Sequence, residues 1–192
     1  MRKSCGILAI AVLALTGCGS ASSTQSSPEP SAATTPATEP NIVSKATGGE
    51  SICKDKAGDS ASKVVDLAQA RLQSDGTEMS TTFNTVANLP TTGTVLYSVR
   101  AWSADGSKEY QLGVKFKDGK EIANFVTDVG SGQQEDITNG AVAANKQVSA
   151  RYPLAKLKGL GDKFEWSAKV TVDGTEADRC PGGDVRSRFP GA

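Results

Sequence analysis

The stretch that decides the fold runs from residue 95 to residue 125 and reads VLYSVRAWSADGSKEYQLGVKFKDGKEIANF. Its apolar side chains alternate with polar ones, as they do in a strand with one buried face. Two Asp-Gly pairs, at 105–106 and 118–119, interrupt the alternation and are typical of tight hairpin turns. The sequence therefore predicts a three-stranded antiparallel meander.

The turn at 105–106 determines which residues of the first two strands face each other. It places apolar residues opposite apolar residues in four successive pairs, and a shift by one residue would turn the whole set to solvent. These pairs are Val95 with Phe116, Tyr97 with Val114, Val99 with Leu112, and Ala101 with Tyr110. The turn at 118–119 is expected to pair Phe116, Val114 and Leu112 with Glu121, Ala123 and Phe125.

Shorter patterns flank the meander on both sides. The Asp75-Gly76 turn predicts a hairpin that pairs Leu72 with Met79, although residues 64–72 also have apolar side chains at helical spacing. The same register would pair Ala70 with Thr81 and Ala68 with Phe83. Further strands are expected at residues 147–152 and 164–172, the second with Trp166 in the core, and a helical turn is expected after Pro153.

Eight to nine short strands separated by Asx-Gly turns, with at most two short helices, predict an all-β fold. The arrangement favours an antiparallel β-sandwich of jelly-roll or immunoglobulin-like form. Cys53 and Cys180 lie at the two extremes of this region, whereas immunoglobulin cysteines lie on facing central strands. The topology is therefore expected to differ from that of an immunoglobulin domain.

The N-terminus has a basic start and then an apolar run over residues 7–15, which is too short to span a bilayer. The run ends in Leu15-Thr16-Gly17-Cys18, which resembles the lipobox of bacterial lipoproteins. The resemblance implies cleavage after Gly17, a diacylglycerol thioether on Cys18, and anchoring on the extracytoplasmic face of the cell membrane. The alternative is an ordinary secretory peptide with a chance cysteine.

Composition divides the chain into four parts. Residues 1–17 are interpreted as a lipoprotein signal peptide, and residues 18–48, rich in Ser, Thr and Pro, as a disordered tether. Residues 49–181 would form the sandwich, and residues 182–192 a flexible tail. After cleavage Cys53 and Cys180 are the cysteines that carry no lipid, and outside the cytoplasm a disulfide is expected rather than two unpaired buried thiols.

Charge and residue usage exclude several kinds of catalysis and leave carboxylate chemistry open. The chain has 21 basic and 21 acidic residues and no histidine, and loss of Arg2 and Lys3 leaves a net charge of −2. Ser-His-Asp and Cys-His catalysis are excluded, as is the commonest zinc ligand. The absence of a basic run makes nucleic acid a poor partner. We therefore expect a protein that is not an enzyme. We also expect a monomer.

Two resemblances extend beyond the lipobox. The lipobox, the tether and the closing Asp178-Arg179-Cys180-Pro181 resemble conserved lipoproteins of mycobacteria and related actinobacteria, which implies a location but no activity. The opening DKAGD at residues 55–59, followed by an Asp-Leu and an Asp-Gly pair, more weakly resembles β-sandwich modules of the DOMON and family-9 carbohydrate-binding kind. Those modules bind haem, sugars or calcium. Haem is not implied here because no histidine is present.

Two groups of residues are candidate sites. Asp55, Asp59 and Asp66 could supply oxygen ligands to calcium, although acidic residues near turns are usually solvated or form caps. Trp102, with Arg100 beside it, lies on the face opposite the core and could stack a sugar or anchor a partner. The alternative is that Trp102 is packed by a covering segment.

The sequence thus favours a lipid-anchored, non-catalytic binding module of the cell envelope, with a glycan, lipid or peptide as ligand. One alternative is an accessory or structural subunit that docks on another envelope protein. Another is a lipid carrier, which would need an internal cavity of several hundred Å³.

Overall fold

The computed structural model describes residues 48–191, in which two antiparallel sheets pack face to face, so the predicted all-β sandwich is confirmed. The five-stranded sheet has the order β1 (Gly49–Lys54), β2 (Leu67–Ser74), β3 (Glu78–Thr85), β9 (Gln147–Pro153) and β8 (Val142–Ala144). The seven-stranded sheet has the order β11 (Thr175–Cys180), β10 (Phe164–Val172), β4 (Thr94–Ser103), β5 (Glu109–Lys117), β6 (Lys120–Asp128) and β7 (Gln133–Asp136), with β12 (Ser187–Phe189) also paired to β10. One 3-10 turn, Leu154–Lys156, follows β9. The proposed signal peptide, Cys18 and nearly all of the tether lie outside the described residues.

The first hairpin of the meander has the predicted register. All four apolar pairs between β4 and β5 are present, from Val95 opposite Phe116 to Ala101 opposite Tyr110. The inward-facing side chains of these strands are buried and form the centre of the core. The Asp-Gly turn and the alternation together were sufficient to define this register.

The second hairpin of the meander was predicted correctly only at its turn. Phe116 lies opposite Glu121 as expected, but a register shift at Lys115/Phe116 places Val114 opposite Asn124 and Leu112 opposite Val126. The expected pairs with Ala123 and Phe125 are therefore wrong. The bulge moves Phe125 opposite Gly113, where the ring lies so close that a Cβ on Gly113 would stand 2.5 Å from Phe125 Cζ.

The segment before Asp75 is a strand, as the turn signal predicted, and not a helix. Its register is shifted by two residues from the predicted one. Ser74 lies opposite Met79, Leu72 opposite Thr81 and Ala70 opposite Phe83. The loop is longer because the Asp75 carboxylate accepts hydrogen bonds from the backbone N–H groups of Thr77 and Glu78, at 2.8 Å each. These bonds lower the pKa of Asp75 to about 2. Because a shift of two residues keeps each side chain on the same face of the sheet, the predicted buried face is still the buried one.

Three links join the two sheets through the core. Cys53 of β1 and Cys180 of β11 form the predicted disulfide, with their Cα atoms 6.0 Å apart. The rings of Phe83 and Tyr97, from opposite sheets, lie 5.6 Å apart between centroids. Trp166 is fully buried, as predicted, and its Nε1–H donates to Ser51 Oγ at 3.0 Å.

The C-terminal segment is more ordered than the sequence suggested, and the expectation of a flexible tail over residues 182–192 is wrong for its β12 part. Phe189 is buried against Phe164, with ring centroids 4.7 Å apart. Arg188 O accepts a hydrogen bond from Ser51 Oγ at 2.6 Å, and Gly191 N donates to Glu50 O at 2.7 Å. The segment therefore bridges β10 of one sheet and β1 of the other.

Candidate functional site

A groove of about 610 Å³ crosses the outer face of the five-stranded sheet. Its polar side chains come from three neighbouring strands: Gln73 from β2, Ser80 and Thr82 from β3, and Ser149 and Arg151 from β9. They share one face because alternate residues of a strand point to the same side of a sheet, while their neighbours in sequence fill the core. The sequence pattern did not indicate a binding surface on this face.

One wall of the groove is the segment that leads into β8. Asn124 of β6, itself buried, donates its Nδ2–H to the carbonyl oxygen of Asn139 at 2.6 Å. Glu121 Oε2 accepts a hydrogen bond from the backbone N–H of Ala141 at 2.7 Å. Both side chains belong to the other sheet, so the wall of the groove is held in place by contacts of the fold.

The groove has hydrogen-bonding capacity beyond what the protein itself uses. Thr82 Oγ1 and Ser149 Oγ lie 3.3 Å apart and share one hydrogen bond. A hydroxyl can donate one hydrogen bond and accept two, so most of the capacity of this pair remains for a ligand. The side chain of Arg151 is 71% exposed, and its Nη1 lies 3.9 Å from Glu78 Oε2, beyond hydrogen-bond distance.

Trp102 lies on the outer face of the seven-stranded sheet and is half-buried. The guanidinium carbon of Arg186 lies 3.9 Å from the centroid of its ring, in a cation–π contact. Arg186 in turn pairs with Glu165, at 3.2 Å between Nη1 and Oε2. One face of the indole is therefore covered by the C-terminal segment.

Arg100, the other residue of this candidate, is also engaged within the protein. Its guanidinium forms a salt bridge with Glu109 across the β4–β5 pair, with Nε donating at 2.9 Å. A partner that stacks on the covered face of Trp102 would have to displace Arg186, and one that pairs with the Arg100 guanidinium would have to compete with Glu109. The groove on the other sheet needs no such displacement.

The candidate calcium residues are only partly brought together. Asp55 and Asp59 lie beside Asp178, with one oxygen of each carboxylate within 4.8 Å of the others. Asp66 has another partner, because its Oδ2 accepts a hydrogen bond from Gly58 N at 2.7 Å. The three clustered carboxylates are the part of the described chain that could hold a hard cation such as Ca²⁺.

Asp178 was missed as a member of this cluster because it is distant in sequence and belongs to β11. Its carboxylate accepts hydrogen bonds from Leu67 N at 2.7 Å and from Arg179 N at 2.8 Å, so it ties β11 to the start of β2. The only sequence signal was its position two residues before Cys180, since the disulfide brings β11 to β1. Within residues 48–191, these contacts give Asp178 a structural role.

Burial and neighbouring charges change the pKa of Asp55 and of Asp178. Burial and then the charge of Asp178 raise the pKa of Asp55 from 3.8 to about 6. Burial also raises the pKa of Asp178, with the charges of Asp59 and Asp66 acting in the same direction. Asp55 thus holds a proton in the folded protein at pH values where the unfolded chain releases it.

We expect the Asp55→Asn substitution to stabilise the protein at pH 7 by about 1 kcal/mol, after discounting the pKa shift for solvent exposure. Because the folded-state pKa is raised, Asp55 contributes stability that is complete below pH 3.8 and lost as the pH rises through about 6. The gain of the variant over the parent should therefore grow between pH 4 and pH 6 and stay level above. Urea denaturation at several pH values measures it.

Asp162→Asn, at an exposed carboxylate on a loop, is the matched control and should follow the parent at every pH. A constant difference between Asp55→Asn and the parent from pH 4 to pH 7 would contradict the prediction.

An apolar cavity also lies at one end of the sandwich, beside Tyr97, Phe116 and Val148. Its volume is about 30 Å³, which is room for about one water molecule. A lipid chain would need a far larger cavity, of several hundred Å³. This cavity does not favour the lipid-carrier interpretation.

Comparisons with known protein families, with curated proteins and with solved structures give no match to this chain. In the part of the chain that the structure describes, no helix has the length and apolarity that a membrane span requires. The choice among candidate sites therefore depends on geometry alone, and the groove is a concave surface whose polar side chains keep hydrogen-bonding capacity for a ligand.

Proposed function

We propose that the protein is a lipid-anchored, non-catalytic binding module on the extracytoplasmic face of the cell membrane, and that it holds a component of the cell envelope in the groove. The observation that carries the proposal is the groove itself, with a volume of about 610 Å³, polar side chains from three strands and a wall held by Asn124 and Glu121. The lipobox resemblance supports the location. The complete lack of histidine supports a role without catalysis.

The alternative function, docking on another envelope protein, would use Trp102 and Arg100. These side chains resemble binding hot spots in type, since Trp and Arg concentrate binding energy when they lose water. Their contacts with Arg186 and Glu109 make them less available than the groove residues. We therefore place the ligand in the groove.

The Thr82→Trp substitution is expected to weaken binding of the full-length protein to isolated cell walls by about tenfold or more, since the indole would fill the groove. Thr171→Trp is the matched control, on the outer face of the other sheet, and should leave binding within about twofold of the parent. Co-sedimentation in detergent solution measures both. Equal binding by the two variants would place the ligand elsewhere or show that no cell-wall component binds.

The Cys18→Ala substitution is expected to release the protein from membranes or to leave its precursor uncleaved, because no diacylglycerol can then be attached. Two or three acyl chains anchor a protein durably, whereas one chain is marginal. Detergent phase partitioning together with the intact mass measures the outcome. A variant that partitions with the parent and has the same mature mass would show that the lipid assignment is wrong.

A further inference from the structure

We propose, resting on the proposed function, that the ligand in the groove is an oligosaccharide that carries a carboxylate, and that Arg151 binds this carboxylate. Hydroxyl side chains of β3 and β9 would bind the sugar hydroxyls. Four properties of the groove support this inference: its position on a sheet face, its hydroxyl groups, its lack of aromatic lining and the state of Arg151.

The position of the groove argues against a peptide. Peptides add to sheets at free edges, where unpaired backbone groups accept a new strand. The groove lies over β3, which is paired on both sides with β2 and β9, and over β9, which is paired with β3 along its length and with β8 only from Gln147 to Ser149. A ligand on the floor of the groove therefore meets mainly side chains, and only the short edge of β9 after Ser149 could pair with a peptide, which favours a molecule that has many polar groups of its own.

The side chains on the floor form a regular array. Ser80 lies opposite Arg151, and Thr82 lies opposite Ser149, in neighbouring pairs along β3 and β9. Strands lie about 4.8 Å apart, and alternate residues of one strand about 7 Å apart. Each hydroxyl both donates and accepts hydrogen bonds, as sugar hydroxyls do, so the array can bind several adjacent hydroxyls of a sugar.

The apolar part of the lining is small. It consists of Val142, which is 68% exposed, and Ala150, which is almost completely buried. No aromatic ring lines the groove, so stacking on a sugar ring cannot supply the affinity here. A lipid would find too little apolar surface, and a neutral sugar would be held by hydrogen bonds alone, which contribute only about 1 kcal/mol each.

Arg151 is the charged group on which selectivity would depend. Two other arginines on outer faces of the sheets form salt bridges with carboxylates. Arg71 Nη2 lies 2.7 Å from Glu50 Oε2, and Arg100 is paired with Glu109. Arg151, by contrast, has only the contact to Glu78 at 3.9 Å. A guanidinium with free N–H groups binds a carboxylate through two parallel hydrogen bonds.

Glu78 also lines the groove, and it limits how the ligand can lie. Its carboxylate would repel that of the ligand, and it stands towards the end of β9 that Pro153 occupies. The ligand carboxylate would therefore approach Arg151 from the side of Ser149. In this position the sugar hydroxyls lie over Thr82 and Ser149.

The test uses two disaccharides that differ in the carboxylate. One is N-acetylglucosaminyl-N-acetylmuramic acid, whose lactyl group carries the acid, and the other is N,N′-diacetylchitobiose, which is neutral. Calorimetric titration of the full-length protein is expected to show tighter binding of the acidic disaccharide by about tenfold. The preference should weaken in high salt, because it comes from a solvent-exposed ion pair.

Two variants separate the role of Arg151 from effects on the fold. Arg151→Gln should weaken binding of the acidic disaccharide to about the level of the neutral one, so that the preference is lost. Arg71→Gln, at an arginine on the same face that does not line the groove, should retain the preference. Thermal unfolding of both variants checks that the sheet is intact.

The outcomes distinguish this inference from the proposed function. Equal affinity for the two disaccharides, or a preference that persists in Arg151→Gln, would overturn the role of the carboxylate and leave the groove as a binding site. Binding of neither disaccharide, together with cell-wall binding that Thr82→Trp abolishes, would overturn the ligand class alone. Cell-wall binding that is insensitive to Thr82→Trp would overturn the groove itself.

Discussion

Reduction of the Cys53–Cys180 disulfide is expected to lower the free energy of unfolding by about 4–5 kcal/mol. The bond closes a loop with a sequence separation of 127, which includes nearly all of the two sheets. In the chain-entropy model a loop of this length strongly restricts the unfolded chain. Because Cys53 lies on β1 and Cys180 on β11, the bond also joins one sheet to the other. Urea denaturation with and without a reductant measures the loss.

The double variant Cys53→Ala/Cys180→Ala is the control. It should be destabilised to a similar extent and should not respond to the reductant. Thiol titration of the denatured, unreduced parent should find no free thiol on either residue. A parent whose denaturation midpoint is unchanged by complete reduction would show that the bond contributes nothing to stability.

The fold was predictable where turn chemistry and alternation agreed. Between β4 and β5, the Asp-Gly turn set the register and the alternation of apolar residues confirmed it, so all four pairs are found. Both signals are local, and neither depends on what packs above the sheet. The same agreement explains why Trp166 could be assigned to the core from its place among alternating apolar residues.

The predicted register was wrong in two hairpins, and in each of them one side chain altered the local geometry. Asp75 binds the backbone of the two residues after Gly76, which lengthens a loop that the Asp-Gly pair alone would make tight. In the second hairpin of the meander, the Cζ end of the Phe125 ring lies against Gly113, a fit that depends on the extra residue, Ile122, in β6. Both effects depend on side-chain contacts that an alternation pattern does not contain.

The groove could not be predicted from the sequence for a related reason. Ser80, Thr82 and Ser149 alternate with buried residues, and such a pattern describes any solvated sheet face. What makes the face concave is the segment around Asn139, which is held by Asn124 of the other sheet. That contact joins β6 to the loop that leads into β8, so no periodicity reveals it.

The sequence left two interpretations of Trp102 open, a binding residue and a residue packed by a covering segment, and the structure shows a covering contact on one face of the indole. Trp102 lies on the outer face, but the pattern did not reveal that Arg186 would return to cover it. The C-terminal segment is polar, which suggested a flexible tail. Its order depends on one aromatic residue, Phe189, and on backbone hydrogen bonds to β1, which act over long range.

Truncation of the buried indole in Trp166→Ala is expected to cost about 3–5 kcal/mol, the usual range for a large aromatic side chain removed from a core. Trp166 is completely buried on β10, and its Nε1–H donates to Ser51 Oγ on β1. The same hydroxyl donates to the carbonyl oxygen of Arg188 in β12. Trp166 thus contributes to packing and to a hydrogen-bonded chain that joins three strands.

The two contributions can be separated with smaller changes. Trp166→Phe keeps most of the packing and removes the N–H donor, so we expect a loss of about 1–2 kcal/mol. Ser51→Ala removes the acceptor and leaves the indole N–H and the Arg188 carbonyl oxygen without this partner, so a similar loss is expected. Because both single variants break the same chain, the double variant should cost less than their sum.

Urea denaturation of the parent, Trp166→Phe, Ser51→Ala and the double variant gives the coupling energy directly. Additive losses would show that the hydrogen bond from Trp166 to Ser51 contributes nothing beyond packing. A loss below about 1 kcal/mol for Trp166→Ala would contradict its place in the core altogether. The expected pattern, a large loss on truncation and a smaller, coupled loss on removal of the hydrogen bond, would show that Trp166 joins β1 of the five-stranded sheet to β10 and β12 of the seven-stranded sheet.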